Sequence, residues 1–228
     1  MAAITTYRTQ KPFAWSYSKL KNFETCPKRH YEIDVAKNIK EEDSDELKWG
    51  NTIHKSAAKH LGEGAPLIQG TEVLQPWCDR IKAGGGTILV EQKLAITRDF
   101  GKCDWFDRNA WYRGIGDVIK IVGDVALVVD WKTGKILEDS VQLALMAQCV
   151  FAHHPEVTHV RSEFVWLKED ASSREDFSRD DMAGLWRLLW PRLELLEHAH
   201  NTTTYPAKPG RLCRKWCPVQ SCPHWGKS

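Results

Sequence analysis

Two short strings carry acidic and basic groups at a spacing that suits work on one substrate: Gly114-Ile-Gly-Asp117 and, after an apolar run, Asp130-Trp-Lys132. In an extended strand side chains alternate between faces, so Asp130 and Lys132 emerge together. Between the strings lies Gly123-Asp124, and glycine at the first central position suits a two-residue type II′ hairpin turn. With that turn Val122 faces Val125, and counting back sets Asp117 opposite Asp130, their Cβ atoms roughly 5 Å apart. A turn at Val122-Gly123 would shift the register and separate them. Opposed like charges destabilise a hairpin unless something compensates, and a divalent cation does so. Oxygen ligands of this kind suit magnesium or manganese, one or two ions that share their coordination with substrate phosphate. Phosphodiester hydrolysis follows, with Lys132 orienting water or stabilising developing negative charge. Read without a metal, the same residues are ordinary hairpin-edge charges.

A second set of residues has ligand chemistry of another kind. Cys213, Cys217 and Cys222 fall within ten residues, three of seven cysteines in the chain. In a reducing compartment such crowding reads as metal or cluster ligation. The fourth ligand is either His224, which gives a small local zinc site, or Cys26 near the other end of the chain. Ligation by Cys26 would fasten both ends onto the core. Cys78, Cys103 and Cys149 are isolated and read as small hydrophobes.

The elements that must position these groups follow from periodicity. A short helical pattern covers Ser16 to Glu24 and a longer one about Asp45 to Leu61, where Ile53, Ala57 and Leu61 recur. His54, followed by Ala57, Ala58 and Leu61, would share that inward face, as packed histidines often do. Three β-branched runs come next, Ile88 to Ile96, Trp111 to Ile121 and Val125 to Lys132. An apolar helix, about Ser140 to His153, precedes a strand from Val160 to Leu167. Asp139 and Gln142 have capping-box spacing at the start of that helix. A last amphipathic helix, about Arg179 to His198, carries Pro191, which should bend it. Ala83-Gly-Gly-Gly86 and Glu169 to Asp180 read as loops.

The 228 residues suit one domain, 1–228, with a helical part at about 16–62, a core at about 88–167 and a C-terminal helix and Cys-rich tail at about 178–228. Thirty-two Lys and Arg against thirty Asp and Glu leave +2, so any basic groove is local. Charged residues at 27% and hydrophobic ones at 42% are ordinary for a folded chain. The stretch Met1 to Lys11 lacks the apolar run of a signal peptide and nothing reaches a membrane span, which leads us to expect an intracellular, cytoplasmic protein. Eleven tryptophans serve packing or base stacking.

These strings, in this order, resemble a known family. A glycine-preceded Asp117 and an apolar strand ending in Asp130-x-Lys132 look like the PD-(D/E)XK nuclease core, an α/β fold with a mixed central sheet flanked by helices. Gly50-Asn-Thr-Ile-His54 resembles the helical histidine motif of its RecB-like branch, in which His joins the two acidic residues as a metal ligand. Glu91 holds the place of the acidic residue on the first core strand. Gln142 matches the family glutamine of Q-x-x-x-Y, although Met146 stands where the tyrosine belongs. Ser16-Tyr-Ser18-Lys-Leu20 with Cys26-Pro-Lys-Arg29-His-Tyr31 is similar to the signature of iron–sulfur members, including AddB-type and CRISPR-associated nucleases. There one early and three late cysteines hold a [4Fe–4S] cluster. The late spacing here, three and then four intervening residues, departs from the two-and-five pattern of several members.

The resemblance implies a Mg2+- or Mn2+-dependent deoxyribonuclease, an exonuclease acting on single-stranded or end-containing DNA. It would be similar to stand-alone phage or prokaryotic enzymes of recombination or repair, with a helicase or recombination protein as a partner. Two other readings use the same residues: a structure-specific DNA endonuclease, and a non-catalytic DNA-binding module with Lys208, Arg211, Arg214, Lys215 and Trp216 on its surface.

Overall fold

A computed structural model describes residues 12–40, 44–137 and 139–227. The Met1 to Lys11 stretch read for a signal peptide lies outside them. Helices α1 (Tyr17–Thr25) and α2 (Pro27–His30) lead through a π-helical turn to α3 (Asp45–Glu63) and α4 (Gln75–Lys82). Strands β1 (Thr87–Ile96), β2 (Lys102–Cys103), β3 (Tyr112–Val122) and β4 (Val125–Lys132) follow. Helix α5 (Ser140–His153), strands β5 (His159–Trp166) and β6 (Ala171–Ser178), and helix α6 (Met182–Thr202) complete the core. The described strands form one mixed sheet in the order β2-β1-β3-β4-β5-β6, in which only β4 and β5 run parallel.

Local chemistry explains the helix starts. Ser16 caps α1 by accepting from the Lys19 amide at 3.4 Å, and Ser44 caps α3 by accepting from Leu47 at 3.2 Å. Gly64, at φ 70°, ends α3 in the left-handed region that glycine adopts without penalty. Two apolar layers then cover the sheet. Helices α3 and α4 bury Ile53, Ala57, Leu61 and Ile81 against Val118, Val129 and Trp131, while α5 and α6 cover the other face with Leu145, Val150, Leu189 and Leu193.

Strict alternation fails at one place. Ile88 and Val90 of β1 pack under α3 and α4, yet Leu94 and Ile96 pack under α5 and α6. On β3, Val118 lies in the first layer and Tyr112 in the second. A regular strand would keep each pair on one face. Both strands turn over together, because the pairing count is kept from Val90↔Val118 to Gln92↔Gly116. The step they skip is Glu91 and Asp117, and Glu91 sits at φ 49°, a left-handed conformation costly for a side chain with a Cβ.

Several expectations are corrected. Glu169 to Asp180 is not a loop but contains β6, which pairs with β5 from His159↔Ser178 to Trp166↔Ala171. α4 and the two-residue β2 were not foreseen. α6 begins later and ends later than the 179–198 pattern, and it runs through Pro191 without interruption. Among the described residues no helix is long and apolar enough to cross a membrane.

Candidate active site

The β3–β4 hairpin has the register its glycine dictates. Val122 pairs with Val125 and Val118 with Val129, so Asp117 falls opposite Asp130 where the ladder stops. Gly123 has φ 60° whereas Asp124 is not left-handed, as a type II′ turn requires. The two carboxylates nevertheless turn to different neighbours. Asp117, its side chain 11% exposed, places one oxygen 3.1 Å from His54 Nδ1 and accepts the Trp131 amide on the other at 2.9 Å. Asp130 receives Lys132 Nζ at 2.8 Å and Gln142 Nε2 at 2.7 Å.

His54 is not on the buried stripe of α3. Ile53, Ala57 and Leu61 are buried, while the His54 side chain stays 33% exposed. Its ring meets Asp117 and Glu91, and one ligand atom of each of the three lies within 4.8 Å of the others. The left-handed step at Glu91 is what brings a β1 carboxylate to this corner. Asp130 is not in that group; it belongs with Lys132 and Gln142. So the expected ligands His54 and Asp117 come together, Glu91 joins them, and Asp130 stands alongside.

Gln142 is not a capping residue. Asp139 makes no side-chain cap to α5 and instead accepts the Tyr17 hydroxyl in a short hydrogen bond, with Lys21 Nζ at 3.7 Å. That leaves Gln142 free to bridge Asp130 and Lys132, its Oε1 3.3 Å from the ammonium. Met146 fills the place expected for tyrosine by packing on the glycines of β3: a Cβ at Gly114 would come within 3.1 Å of its methyl carbon. Two contributors were not foreseen. Phe164 on β5 lies 4.6 Å beneath the Lys132 ammonium, and Tyr17 tethers α1 to the start of α5. Only the tyrosine inside Ser16-Tyr-Ser18 gave any signal.

The crowding of anions has an electrostatic signature. Burial, and then the neighbouring Asp117, push the Asp130 carboxyl up to about 6 against the pull of Lys132. Burial and Asp117 also raise Glu91. Burial is the largest influence on His54 and would depress it, but the hydrogen bond to Asp117 together with the charges of Asp117, Asp130 and Glu91 outweighs it and holds the imidazole above its ordinary value. A site that raises two carboxylates in this way has the donor chemistry of a hard divalent cation: carboxylate oxygens plus one imidazole.

At the other end of the fold, Cys26, Cys213, Cys217, Cys222 and His224 all line one small pocket. Backbone amides of Lys208 and Gly210 approach Cys26 Sγ and Cys213 Sγ at 3.4 and 3.5 Å. Cys78 and Cys149 are buried as the isolated-hydrophobe reading expects, and Cys103 is partly covered on β2. Of the tryptophans, Trp15, Trp111, Trp131, Trp166 and Trp186 are core residues, whereas Trp216 is 78% exposed.

The chain matches the family model of the PD-(D/E)XK nuclease superfamily over residues 14–223. Among solved structures it is similar to one described as a "Putative exonuclease" from Eubacterium rectale, with a TM-score of 0.54 at 12% identity, covering 98% of this chain and 91% of that one. The protein SSO0001 covers 93% and 87% at 14% identity, but its TM-score of 0.41 is too low to carry an argument. No curated protein matches the chain.

Proposed function

Since the chain belongs to the PD-(D/E)XK nuclease superfamily, we propose that it is a magnesium- or manganese-dependent deoxyribonuclease that shortens DNA from an end, with a single strand in its cleft. The observation that carries this reading is the corner where His54, Glu91 and Asp117 gather within 4.8 Å beside the Asp130, Lys132 and Gln142 triad. Such an ion, when bound, supplies a Lewis acid for the phosphate. His54, Glu91 and Asp117 would hold it, with Asp130 beside them on β4.

The remaining work belongs to side chains. Lys132 is fixed on three sides, by Asp130, Gln142 and the Phe164 ring. Held this way, its ammonium would meet charge developing on a phosphate oxygen with little reorganisation. Gln142 bonds both members of the pair and so fixes their relative orientation. Asp117, through the Trp131 amide, ties β3 to the strand that presents Lys132.

We further read Cys26, Cys213, Cys217 and Cys222 as the ligands of a [4Fe–4S] cluster rather than of zinc. This reading rests on the resemblance, and it is supported by the four cysteines lining one small pocket in which backbone amides of Lys208 and Gly210 approach the sulfurs of Cys26 and Cys213. A role in recombination or repair, with a helicase-like partner, rests on the resemblance alone.

The deciding experiment incubates end-labelled linear and circular single-stranded DNA with the protein and Mg2+ or Mn2+. Linear DNA should shorten and circles persist, and Lys132→Ala should lose the activity. Cut circles would make the protein an endonuclease. Metal-dependent cutting that survives Lys132→Ala, or none by the wild type, defeats the assignment.

A further inference from the structure

The cleft beside His54 is a trough, and one helix supplies most of it. Along α3 the lining returns in adjacent pairs, Gly50 with Asn51, His54 with Lys55, Ala58 with Lys59. That is the period of one helical turn. The reverse face, Ile53, Ala57 and Leu61, is buried against the sheet. The trough therefore runs along the helix axis with His54 near its middle. Gly50, Ala58 and Gly62 put almost no side chain into it, so it stays open lengthwise. It encloses about 830 Å3, near the upper end of what small-molecule sites need, which suits a stretch of polymer.

Its polar groups are placed asymmetrically. Lys55 and Lys59 are exposed, and among the described residues neither is held in an ion pair. Four residues on a helix rise about 6 Å, close to the separation of neighbouring phosphates on an extended strand. Of the trough's α3 carboxylates, Glu46 lies at the opposite end of the helix and Glu63 one turn beyond Lys59, while Lys55 is two turns from either. On the other side of His54 the wall is Leu47, a leucine left 51% exposed to water. An apolar wall offers little to a duplex, whose base faces are already stacked, but it covers the face of an unpaired base.

Resting on the nuclease reading above, we propose that this trough seats one DNA strand. Lys55 and Lys59 hold two successive phosphates on one side of His54, and an unpaired base lies against Leu47 on the other. The lysines thus set affinity and Leu47 the strandedness of the substrate, and none of the three takes part in the bond cleavage.

Binding can be measured apart from cleavage. Anisotropy of a labelled single-stranded oligonucleotide and of the blunt duplex of the same sequence, in EDTA over a series of salt concentrations, gives the affinity and its salt slope for the full chain. Each phosphate contact contributes about 0.7 to the slope for a single strand, so Lys55→Gln with Lys59→Gln should lower it by about 1.4 and weaken binding about 25-fold at 0.1 M salt relative to 1 M. Lys102→Gln, on the far edge strand β2, should change neither, which controls for net charge. Leu47→Ser should weaken binding a few-fold with the slope unaltered. In cleavage assays the double lysine variant should raise KM and keep kcat. An unchanged slope in that variant, an equal loss in Lys102→Gln, or a tighter grip on the blunt duplex overturns the trough. Wild-type protein that cuts nothing yet loses its slope with both lysines refutes the nuclease reading and retains the trough.

Discussion

At the scale of single residues, the site is a set of charges whose neighbours decide their roles. Asp130 and Lys132 were readable because β4 keeps its alternation, and Asp117 because the Gly123 turn fixes the register. Glu91 was placed by resemblance, but nothing in the sequence announces its φ of 49°, since a left-handed glutamate within a β-branched run has no local signature. That conformation leads to a test. Glu91→Asn keeps a residue that tolerates the left-handed region and removes one of the clustered charges. In EDTA the variant should melt at or above the wild-type temperature. A hundredfold excess of Mn2+ over its Kd should stabilise the wild type by about 2.7 kcal/mol, roughly 5–10 °C in a chain of this size, and the variant clearly less. Equal manganese shifts in both proteins would remove Glu91 from the ligand set. Gln142 is tested differently. Because it bonds Asp130 and Lys132 together, Gln142→Leu should cost about 10- to 100-fold in single-turnover rate, as loss of an outer-shell partner does, with little change in DNA affinity. A rate within twofold of wild type would return the residue to a merely local role.

At the scale of elements, legibility followed the apolar pattern. The β3–β4 hairpin and α5 stood out because they bury apolar residues at regular spacing, and α5 occupies the expected Ser140–His153 span. β6 was missed because no residue from Ala171 to Ser178 is buried; it is an edge strand held by its ladder and by charge pairs such as Arg161 with Asp176 at 2.7 Å. α4 was missed because eight residues bury only Cys78 and Ile81. The glycine run was read as a loop, correctly, but its three members do unequal work. Gly84, Gly85 and Gly86 all have positive φ, at 78°, 71° and 94°. A Cβ at Gly85 meets nothing within 4 Å, whereas one at Gly86 would come within 2.5 Å of the Ile121 carbonyl oxygen, beside the first β1–β3 pair. Gly85→Ala should therefore cost only the conformational penalty, about 1–2 kcal/mol. Gly86→Ala should cost about 3 kcal/mol or more, since backbone must move as well. Urea denaturation of the two variants decides it, and equal midpoints would show that the close approach relaxes without cost.

At the scale of the whole molecule, the N-terminal helices α1 and α2 and the segment after α6 are brought together and must be kept there. Side chains contribute: Arg192 on α6 grips Glu24 on α1 through two bonds of 2.5 and 3.0 Å, Lys208 Nζ donates to the Glu24 carbonyl at 2.7 Å, and Tyr205 packs on Tyr31 with ring centroids 4.9 Å apart. Yet along residues 203–227 the one buried residue is Val219. A segment of that length must be ordered at a conformational cost per residue, and burial of a single valine with the Lys208 hydrogen bond and the Tyr205 ring contact offsets little of it. The proposed centre bonded to Cys26 as well as to Cys213, Cys217 and Cys222 would supply the missing constraint, and it would join the tail to the helix whose Tyr17 anchors the start of α5. Cys26→Ser should then lose iron and sulfide from anaerobically purified protein together with its brown colour. It should also open the tail to protease near residue 204, while the short-oligonucleotide cleavage rate per folded molecule falls far less than DNA retention. His224→Ala should leave all of these in place. Stoichiometric zinc without iron, with a tail in Cys26→Ser as protease-resistant as the wild type's, would replace the cluster by a local zinc site. The proposed nuclease corner would be untouched by that result, because its ligands come from α3, β1 and β3 and none from the tail.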